Sequence, residues 1–191
     1  MQKIIILVSG MAGTGKSTFS KWLSAELFIP LVCYDNIMKK MMELAESKYD
    51  NPNIYPPIVR DIPNEFLWFN IEEIMKSSSP LIVDYFLCEM HRTVIHALVL
   101  KYLYKVIHVQ FDSESDVAYR RFVERNEKDA REQSIRKSNL EMDLKRFTEL
   151  TKPNKDFRYN DSFIYVNTND FENVSYENIL EQLQKQMLLT V

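Results

Sequence analysis

A run of eight residues near the start of the chain, Gly-Met-Ala-Gly-Thr-Gly-Lys-Ser from Gly10 to Ser17, constrains the fold more than any other part of the sequence. The apolar segment Ile4–Val8 comes just before it, and Lys16–Leu27 carries apolar residues at helical spacing. All three glycines of the chain lie in this run. Glycines let successive backbone N–H groups turn inward, and a helix that begins there directs its positive end to the same point. This order of strand, loop and helix predicts a cradle for phosphate groups.

The last two residues of the run supply what a bound nucleoside triphosphate needs beyond backbone donors. Lys16 provides a point charge for the β and γ phosphates, and the hydroxyl of Ser17 can bind Mg²⁺. A glycine turn that only joined a strand to a helix would need neither side chain. We therefore predict a phosphate-binding loop (P-loop) with nucleotide contacts from Gly10, Met11, Ala12, Gly13, Thr14, Gly15, Lys16, Ser17 and Thr18.

Along the rest of the chain, short apolar runs alternate with longer segments of helical period, which predicts an α/β fold with a five-stranded parallel sheet and helices on both faces. The predicted strands are Ile4–Val8, Leu31–Tyr34, Leu81–Asp84, Val106–Phe111 and Phe163–Asn167. The predicted helices are Lys16–Leu27, Asn36–Ser47, Glu65–Ser77, Glu89–Leu103, Glu114–Asn126, Arg131–Leu150 and one near Ser175–Leu189. Prolines make Asp50–Pro63 an irregular insertion. We expect one domain over residues 1–191, with an insertion at about 49–79.

Composition excludes several classes of protein. The net charge of −3 and the sequence pI of about 5.7 give no general attraction to nucleic acid or to an anionic membrane. Cys33 and Cys88, like the three histidines, have no metal-ligand spacing. No apolar run reaches the roughly 18 residues of a membrane span. We expect a cytoplasmic protein, monomeric or homodimeric, that has no membrane or nucleic-acid partner.

The sequence after the loop separates classes of nucleotide-binding protein, because a P-loop alone does not determine a reaction. Switch GTPases need Asn-Lys-x-Asp after a strand, and the nearest string, Asn154-Lys155-Asp156, is one residue short. Motor ATPases usually place a glutamate after the aspartate that ends the third strand, where this chain has Tyr85 after Asp84. Both differences favour phosphoryl transfer to a bound acceptor over hydrolysis.

With the early P-loop, Asp35 after the second strand, Asp84 at the end of the third strand and a late arginine-rich segment, the chain resembles the small P-loop kinases. The most similar members are the polynucleotide-kinase-like, zeta-toxin-like and antibiotic-phosphotransferase-like enzymes, and the gluconate, shikimate and adenylate kinases are more distant. The resemblance extends over nearly the whole chain. It implies a P-loop NTPase fold, ATP and Mg²⁺ as ligands, and transfer of the γ-phosphoryl group to a hydroxyl of a small molecule.

The same resemblance suggests roles for three residues outside the loop. Asp35 would face the acceptor hydroxyl as a base or orienting group, or would instead cap the helix predicted from Asn36. Asp84 would hold a Mg²⁺-bound water, or would instead form a turn or cap. Arg92 corresponds to a substrate-contacting arginine of several relatives, the alternative being a solvated side chain.

The arginine-rich segment, residues 120–136, resembles the mobile lid of these kinases. Arg121, Arg125 and Arg131 would clamp the transferring phosphoryl group, because planar guanidinium groups suit paired oxygens. The alternative is a solvated helix, since acidic residues are interleaved with the arginines. ATP and GTP are not distinguished.

Further positions bear on the ligands that the resemblance implies. Met38 stands where polynucleotide kinases carry a phosphate-binding arginine, which disfavours a nucleic-acid acceptor. Val166–Thr168 occupies the place where relatives contact adenine. Phe66, Trp68 and Phe69 belong either to the core or to a wall of the acceptor pocket. The alternatives for function are a zeta-toxin-like kinase of a nucleotide sugar and a nucleotide-binding regulatory protein with little turnover.

Overall fold

Five strands and the helices between them make up the part of the chain that this computed structural model describes, residues 2–46, 58–128 and 142–188. The strands are β1 (Ile4–Gly10), β2 (Leu31–Cys33), β3 (Leu81–Asp84), β4 (Lys105–Asp112) and β5 (Phe163–Asn167). The helices are α1 (Lys16–Leu27), α2 (Tyr34–Glu46), α3 (Ile58–Lys76), α4 (Arg92–Tyr102), α5 (Ser115–Lys128), α6 (Leu144–Lys155) and α7 (Tyr176–Leu188), with short 3-10 helices at Glu89–His91 and Phe171–Asn173.

The strands form one parallel sheet in the order β2-β3-β1-β4-β5. The central strand β1 is buried along its whole length, because it pairs with β3 on one side and β4 on the other. The register sets Asp84 beside Val8 of β1 and beside Cys33 of β2. The carboxyl ends of three strands, and the loop that follows β1, therefore meet at one edge of the sheet.

Each face of the sheet buries its own apolar core, as a strand covered on both sides requires. Ile4, Ile6 and Val8 of β1 pack with side chains of α1 and α7. Ile5 and Leu7 point the other way and pack with side chains of α3 and α4. A third, smaller cluster joins Met11 of the loop to α5 and α6 through Ala118, Phe122 and Phe147. The predicted two-sided parallel sheet is confirmed.

The two largest errors in the predicted boundaries have reasons that concern proline and capping. The irregular segment predicted as far as Pro63 ends earlier, because α3 begins at Ile58 and carries Pro63 in its second turn. A proline there removes one backbone hydrogen bond, to the carbonyl of Val59, and its ring is buried. The helix predicted over 131–150 does not continue through Asp143, whose carboxylate instead accepts from the Arg146 N–H at 2.7 Å and caps α6. Residues 129–141 lie outside the described residues.

Helices α1 and α4 end in a left-handed residue that is not glycine. Phe28 has φ 54° and Leu103 has φ 57°, and their side chains are 93% and 78% exposed. In both cases the next N–H bonds back to a carbonyl of the last turn, Ile29 to Ser24 at 3.2 Å and Tyr104 to Val99 at 3.0 Å. A side chain in this conformation is strained.

Candidate active site

The backbone of the phosphate loop is held in shape by glycine conformation and by contact with α5. Gly13 has φ 83°, and a Cβ placed there would lie 2.2 Å from the Ala118 carbonyl oxygen. The Thr14 hydroxyl donates to the Met11 carbonyl at 2.8 Å. Gly15 is the N-cap of α1 and offers no side chain to its first N–H groups. These donors are therefore directed at the loop, where they can bind an anion.

Lys16 and Asp84 face each other across the end of the loop. The Lys16 Nζ lies 3.8 Å from Asp84 Oδ1, and the Asp84 side chain is 2% exposed. Asp84 Oδ2 accepts from the Cys33 thiol at 3.5 Å. The pKa of Cys33 is raised to about 11, mainly by burial and secondly by the Asp84 charge, so the sulfur remains a neutral thiol. The buried carboxylate thus has one cationic neighbour and one weak neutral donor.

Asp35 is brought to the same place by α2. This helix begins at Tyr34, two residues earlier than predicted, so Asp35 lies within its first turn and is not the capping residue. The Cys33 sulfur receives the backbone N–H groups of Asp35 and Asn36 instead. A cavity of about 220 Å³ is lined by Lys16, Tyr34, Asp35, Asp84, Tyr85 and Phe86. We call it the acceptor-side cavity. Three of the predicted site residues share it.

Tyr34 and Tyr85 of the cavity lining belong to an aromatic cluster that also includes Trp68 and His91. The Tyr85 ring lies 4.8 Å from the rings of Tyr34 and His91 and 6.0 Å from that of Trp68. Its hydroxyl donates to Asn64 Oδ1 at 2.6 Å, and burial raises its pKa.

The sequence did not indicate a role for Tyr34 or Tyr85, although each is next to an aspartate predicted to lie in the site. Of the three aromatic residues considered on α3, Trp68 packs here, whereas Phe66 and Phe69 are 49% and 58% exposed.

Arg121 lies beside the segment that follows β5, the edge strand opposite β2 in the sheet. Its guanidinium donates to the carbonyls of Thr168 at 2.6 Å and Asn169 at 2.9 Å and stacks on the Phe171 ring at 3.8 Å. The Phe171 ring in turn covers Gly15, since a Cβ there would lie 2.9 Å from it. A second cavity, of about 400 Å³, is lined by Gly15, Thr18, Phe171, Val174, Tyr176 and Glu177. We call it the nucleoside-side cavity, after the part of the ligand that we propose for it.

The other predicted arginines are not brought to the acceptor-side cavity within the described residues. Arg92 donates to both carboxylate oxygens of Glu89, at 2.5 and 2.9 Å, and to the carbonyls of Arg158 and Tyr159, at 2.9 and 2.8 Å. It joins the start of α4 to the segment after α6. Arg125 is exposed on α5, 5.9 Å from the Phe122 ring. Arg131 lies outside the described residues, as does much of the predicted lid. The roles of these arginines stay predictions.

The oxygen atoms at the loop suit Mg²⁺, the metal that the fold family implies. Ser17 offers a hydroxyl at the start of α1, and Asp84 offers a buried carboxylate at the end of β3, both hard ligands. Among the described residues, no group of three or more His, Cys, Asp or Glu side chains forms a metal site. No helix in residues 2–46, 58–128 or 142–188 has the length and apolar character needed to cross a membrane.

Comparison with solved structures shows kinases among the similar folds. A proposed kinase from Chloroflexus aurantiacus is 18% identical, with a TM-score of 0.74, covering 97% of this chain and 98% of its own. Shikimate kinase from Aquifex aeolicus is 19% identical, with a TM-score of 0.60 and coverage of 97% and 99%. A gluconokinase from Sinorhizobium meliloti is 14% identical, with a TM-score of 0.55 and coverage of 94% and 87%.

No curated protein sequence matches the chain. A family model described as "AAA domain" matches residues 6–145, from β1 into α6, and so includes the loop, Asp35, Asp84 and Arg121. This match extends over well more than half of the chain and agrees with the strand order and with the kinase structures above. The chain therefore belongs to the AAA domain family, and its fold is that of the kinase structures above.

Proposed function

We propose that this protein transfers the γ-phosphoryl group of Mg·ATP to a hydroxyl of a small-molecule acceptor. The observation that supports it best is the acceptor-side cavity, in which Lys16, Asp35 and Asp84 meet at the end of the phosphate loop. A protein that only bound nucleotide would not need a second carboxylate at this point. Kinases of shikimate and gluconate have the same fold, which supports a hydroxyl acceptor.

The loop amides and Lys16 would hold the β and γ phosphates, since Lys16 lies at the start of α1 beside the N–H groups that Gly15 leaves uncapped. Ser17 and Asp84 would hold Mg²⁺, which offsets the negative charge of the phosphates when it is bound. The nucleoside would extend toward Thr18 and the nucleoside-side cavity. Arg121 would border the nucleoside there and must turn away from Thr168 and Asn169 to reach the phosphates.

Asp35 would orient the acceptor hydroxyl and accept its proton. The acceptor oxygen then forms a bond to the γ phosphorus while the bond from that phosphorus to the bridging oxygen breaks, leaving ADP and a phosphate ester. Arg125 and Arg131 would approach from the lid to offset the charge of the transferring group. Positioning and charge compensation would supply most of the rate enhancement.

We also propose that the protein acts in the cytoplasm and that nucleic acid is not its acceptor. The net charge of −3 gives no general attraction to a phosphate backbone. Met38 of α2, where polynucleotide kinases carry an arginine, supplies no cation.

A screen for acceptor-dependent ADP formation tests the proposal directly. Purified protein is incubated with Mg·ATP and a panel of hydroxyl compounds that includes sugars, amino sugars, nucleosides and DNA or RNA 5′ ends. At least one small molecule should stimulate ADP formation, and Lys16→Ala should abolish the stimulation. Lys21→Ala, an exposed lysine of the same helix, is the matched control and should behave as wild type. Stimulation that survives Lys16→Ala, or that arises only with nucleic acid, would contradict the proposal.

A further inference from the structure

The Phe171 ring lines the nucleoside-side cavity and already has one face covered. The Arg121 guanidinium lies over this face, 3.8 Å from the centre of the ring, and Arg121 does not itself line the cavity. The Phe171 side chain is nevertheless 45% exposed. The face of the ring away from Arg121 is therefore the one that can stack on a ligand.

Hydrogen bonds hold the segment that carries Phe171 in place. Thr168 donates to the Asp112 carbonyl twice, from its N–H at 2.8 Å and from its hydroxyl at 3.0 Å. Arg121 donates to the carbonyls of Thr168 at 2.6 Å and Asn169 at 2.9 Å, so the guanidinium behind the ring is fixed as well. The aromatic surface is thus formed before any ligand arrives, and stacking on it costs little ordering of the protein.

The same ring lies in contact with the phosphate loop. A Cβ placed on Gly15 would be 2.9 Å from a ring carbon of Phe171, and Gly15 also lines the cavity beside Thr18. In a nucleoside triphosphate the ribose joins the phosphates to the base, so phosphates held at the loop would bring the base close to this ring. The volume of about 400 Å³ equals roughly 13 water volumes, which is room for a purine and its ribose.

The polar side chains of the cavity do not favour one purine over the other. Thr18, Tyr176 and Glu177 are the lining residues that can form side-chain hydrogen bonds. The two hydroxyls can donate or accept, and the carboxylate accepts. Adenine and guanine both carry an amino group that could donate to a carboxylate. Stacking is equally tolerant, because every base has a π face.

Resting on the proposed function, we infer that Phe171 binds the base of the phosphoryl donor by stacking and that the site takes adenine and guanine alike, so that Mg·GTP serves as well as Mg·ATP. Arg121 is a positioning residue, because it holds the ring from behind and does not touch the base. Its charge also offsets the negative face of the ring, which reduces repulsion with the π electrons of the base. Base binding and phosphate binding are therefore separable by substitution.

Isothermal titration calorimetry of the full chain with Mg·ADP, Mg·GDP and Mg·pyrophosphate tests the inference without turnover. The two nucleotides should bind with dissociation constants within about three-fold of each other, and about ten-fold or more tightly than pyrophosphate, which has no base. A preference of ten-fold or more for either nucleotide, or nucleotide binding no tighter than that of pyrophosphate, would overturn the inference. A protein that binds none of the three ligands would overturn the proposed function, and the inference with it.

Variants of Phe171 separate stacking from support of the loop. Phe171→Leu should weaken Mg·ADP and Mg·GDP by about ten-fold each and leave Mg·pyrophosphate unchanged, whereas Phe171→Tyr should bind all three as wild type does. Phe69→Leu, a comparably exposed phenylalanine of α3, is the control. If Phe171→Leu weakens all three ligands by the same factor, the ring only supports the loop at Gly15 and the inference is wrong.

A variant of Arg121 tests whether it acts through the ring. Arg121→Ala should weaken Mg·ADP and Mg·GDP several-fold relative to Mg·pyrophosphate, because the ring loses its support. Arg120→Ala, the neighbouring exposed arginine, should bind all three ligands as wild type does. Unchanged nucleotide binding in Arg121→Ala, or a larger loss for pyrophosphate than for the nucleotides, would overturn the positioning role.

Discussion

Leu103 shows how this chain ends helices when its glycines are used elsewhere. All three glycines lie in the phosphate loop, so the left-handed positions after α1 and α4 are filled by Phe28 and Leu103. Leu103 has φ 57° and is 78% exposed, so its side chain gains little packing to offset the strain of that conformation.

Leu103→Gly should therefore stabilise the protein. We expect a gain of roughly 0.5–1 kcal/mol in the free energy of unfolding, because relief of left-handed strain exceeds the added entropy of the unfolded glycine. Urea unfolding measures it. Leu103→Ala is the control, since it removes the exposed side chain and keeps the strain. Equal stability of the glycine and alanine variants would show that the left-handed strain is negligible.

Single residues also mark the limit of prediction from sequence. The loop residues were predictable because they are contiguous and their chemistry follows from residue type. Asp35 and Asp84 were predictable as neighbours because parallel strands end at one edge. The carbonyl partners of Arg92 and Arg121 were not, since they lie 66 and 67 residues away in one case and 47 and 48 in the other. A carbonyl has no signature in the sequence.

At the scale of elements, α6 is held by polar contacts to the sheet in addition to the apolar cluster around Phe147. The His108 Nδ1 accepts the Tyr159 N–H at 3.3 Å, so its Nε2 proton points to the Ser9 hydroxyl at 2.6 Å. Ser9 donates to Gln110, which donates to the side chain and carbonyl of Asn154 on α6 at 3.2 Å. Asn154 is the last member of this hydrogen-bond network and donates to the Leu87 carbonyl at 2.6 Å.

This network should make stability depend on pH. Burial lowers the pKa of His108 to about 4 from an ordinary 6.5. Between pH 6.5 and pH 4, His108 is therefore protonated in the unfolded chain and neutral in the folded one. The contribution of His108 to stability is therefore fully present above pH 6.5 and is lost as pH drops toward 4, by on the order of 3 kcal/mol for this depression of the pKa.

His108→Asn removes the titrating group and should flatten the dependence over that range, although the variant is less stable at pH 7. Urea unfolding at pH 7.5, 6.5, 5.5 and 4.5 provides the comparison, and His96→Asn, an exposed histidine of α4, is the control. A slope in His108→Asn equal to that of wild type would assign the pH dependence to other groups.

The elements themselves were largely predictable, and the misses have physical causes. Strands β3 and β5 and helix α1 have the predicted limits, because their apolar runs are local and are bounded by proline, glycine or polar residues. Pro63 was taken as a helix breaker, yet it packs as a buried residue in the second turn of α3. The start of α6 depends on one side-chain cap, at Asp143, which periodicity does not detect.

Across the whole molecule, the strand order places the two cavities on opposite sides of one phosphate loop. The acceptor-side cavity lies at the ends of β2 and β3, and the nucleoside-side cavity lies between the loop and the segment after β5. A triphosphate lying along the loop would span from one cavity to the other. In the proposed reaction, Asp35 at the end of β2 acts on an acceptor, which would favour transfer over hydrolysis.

The turnover of Asp35→Asn, with an acceptor identified by the ADP-formation screen, tests the proposed phosphoryl transfer most directly. Loss of a group that orients or deprotonates the hydroxyl should lower kcat by about 10²-fold or more, while Mg·ATP affinity stays near that of wild type. Glu43→Gln, an exposed carboxylate of the same helix, should leave both unchanged. If Asp35→Asn turns over at close to the wild-type rate, Asp35 does not act on the acceptor and the role proposed for it is wrong.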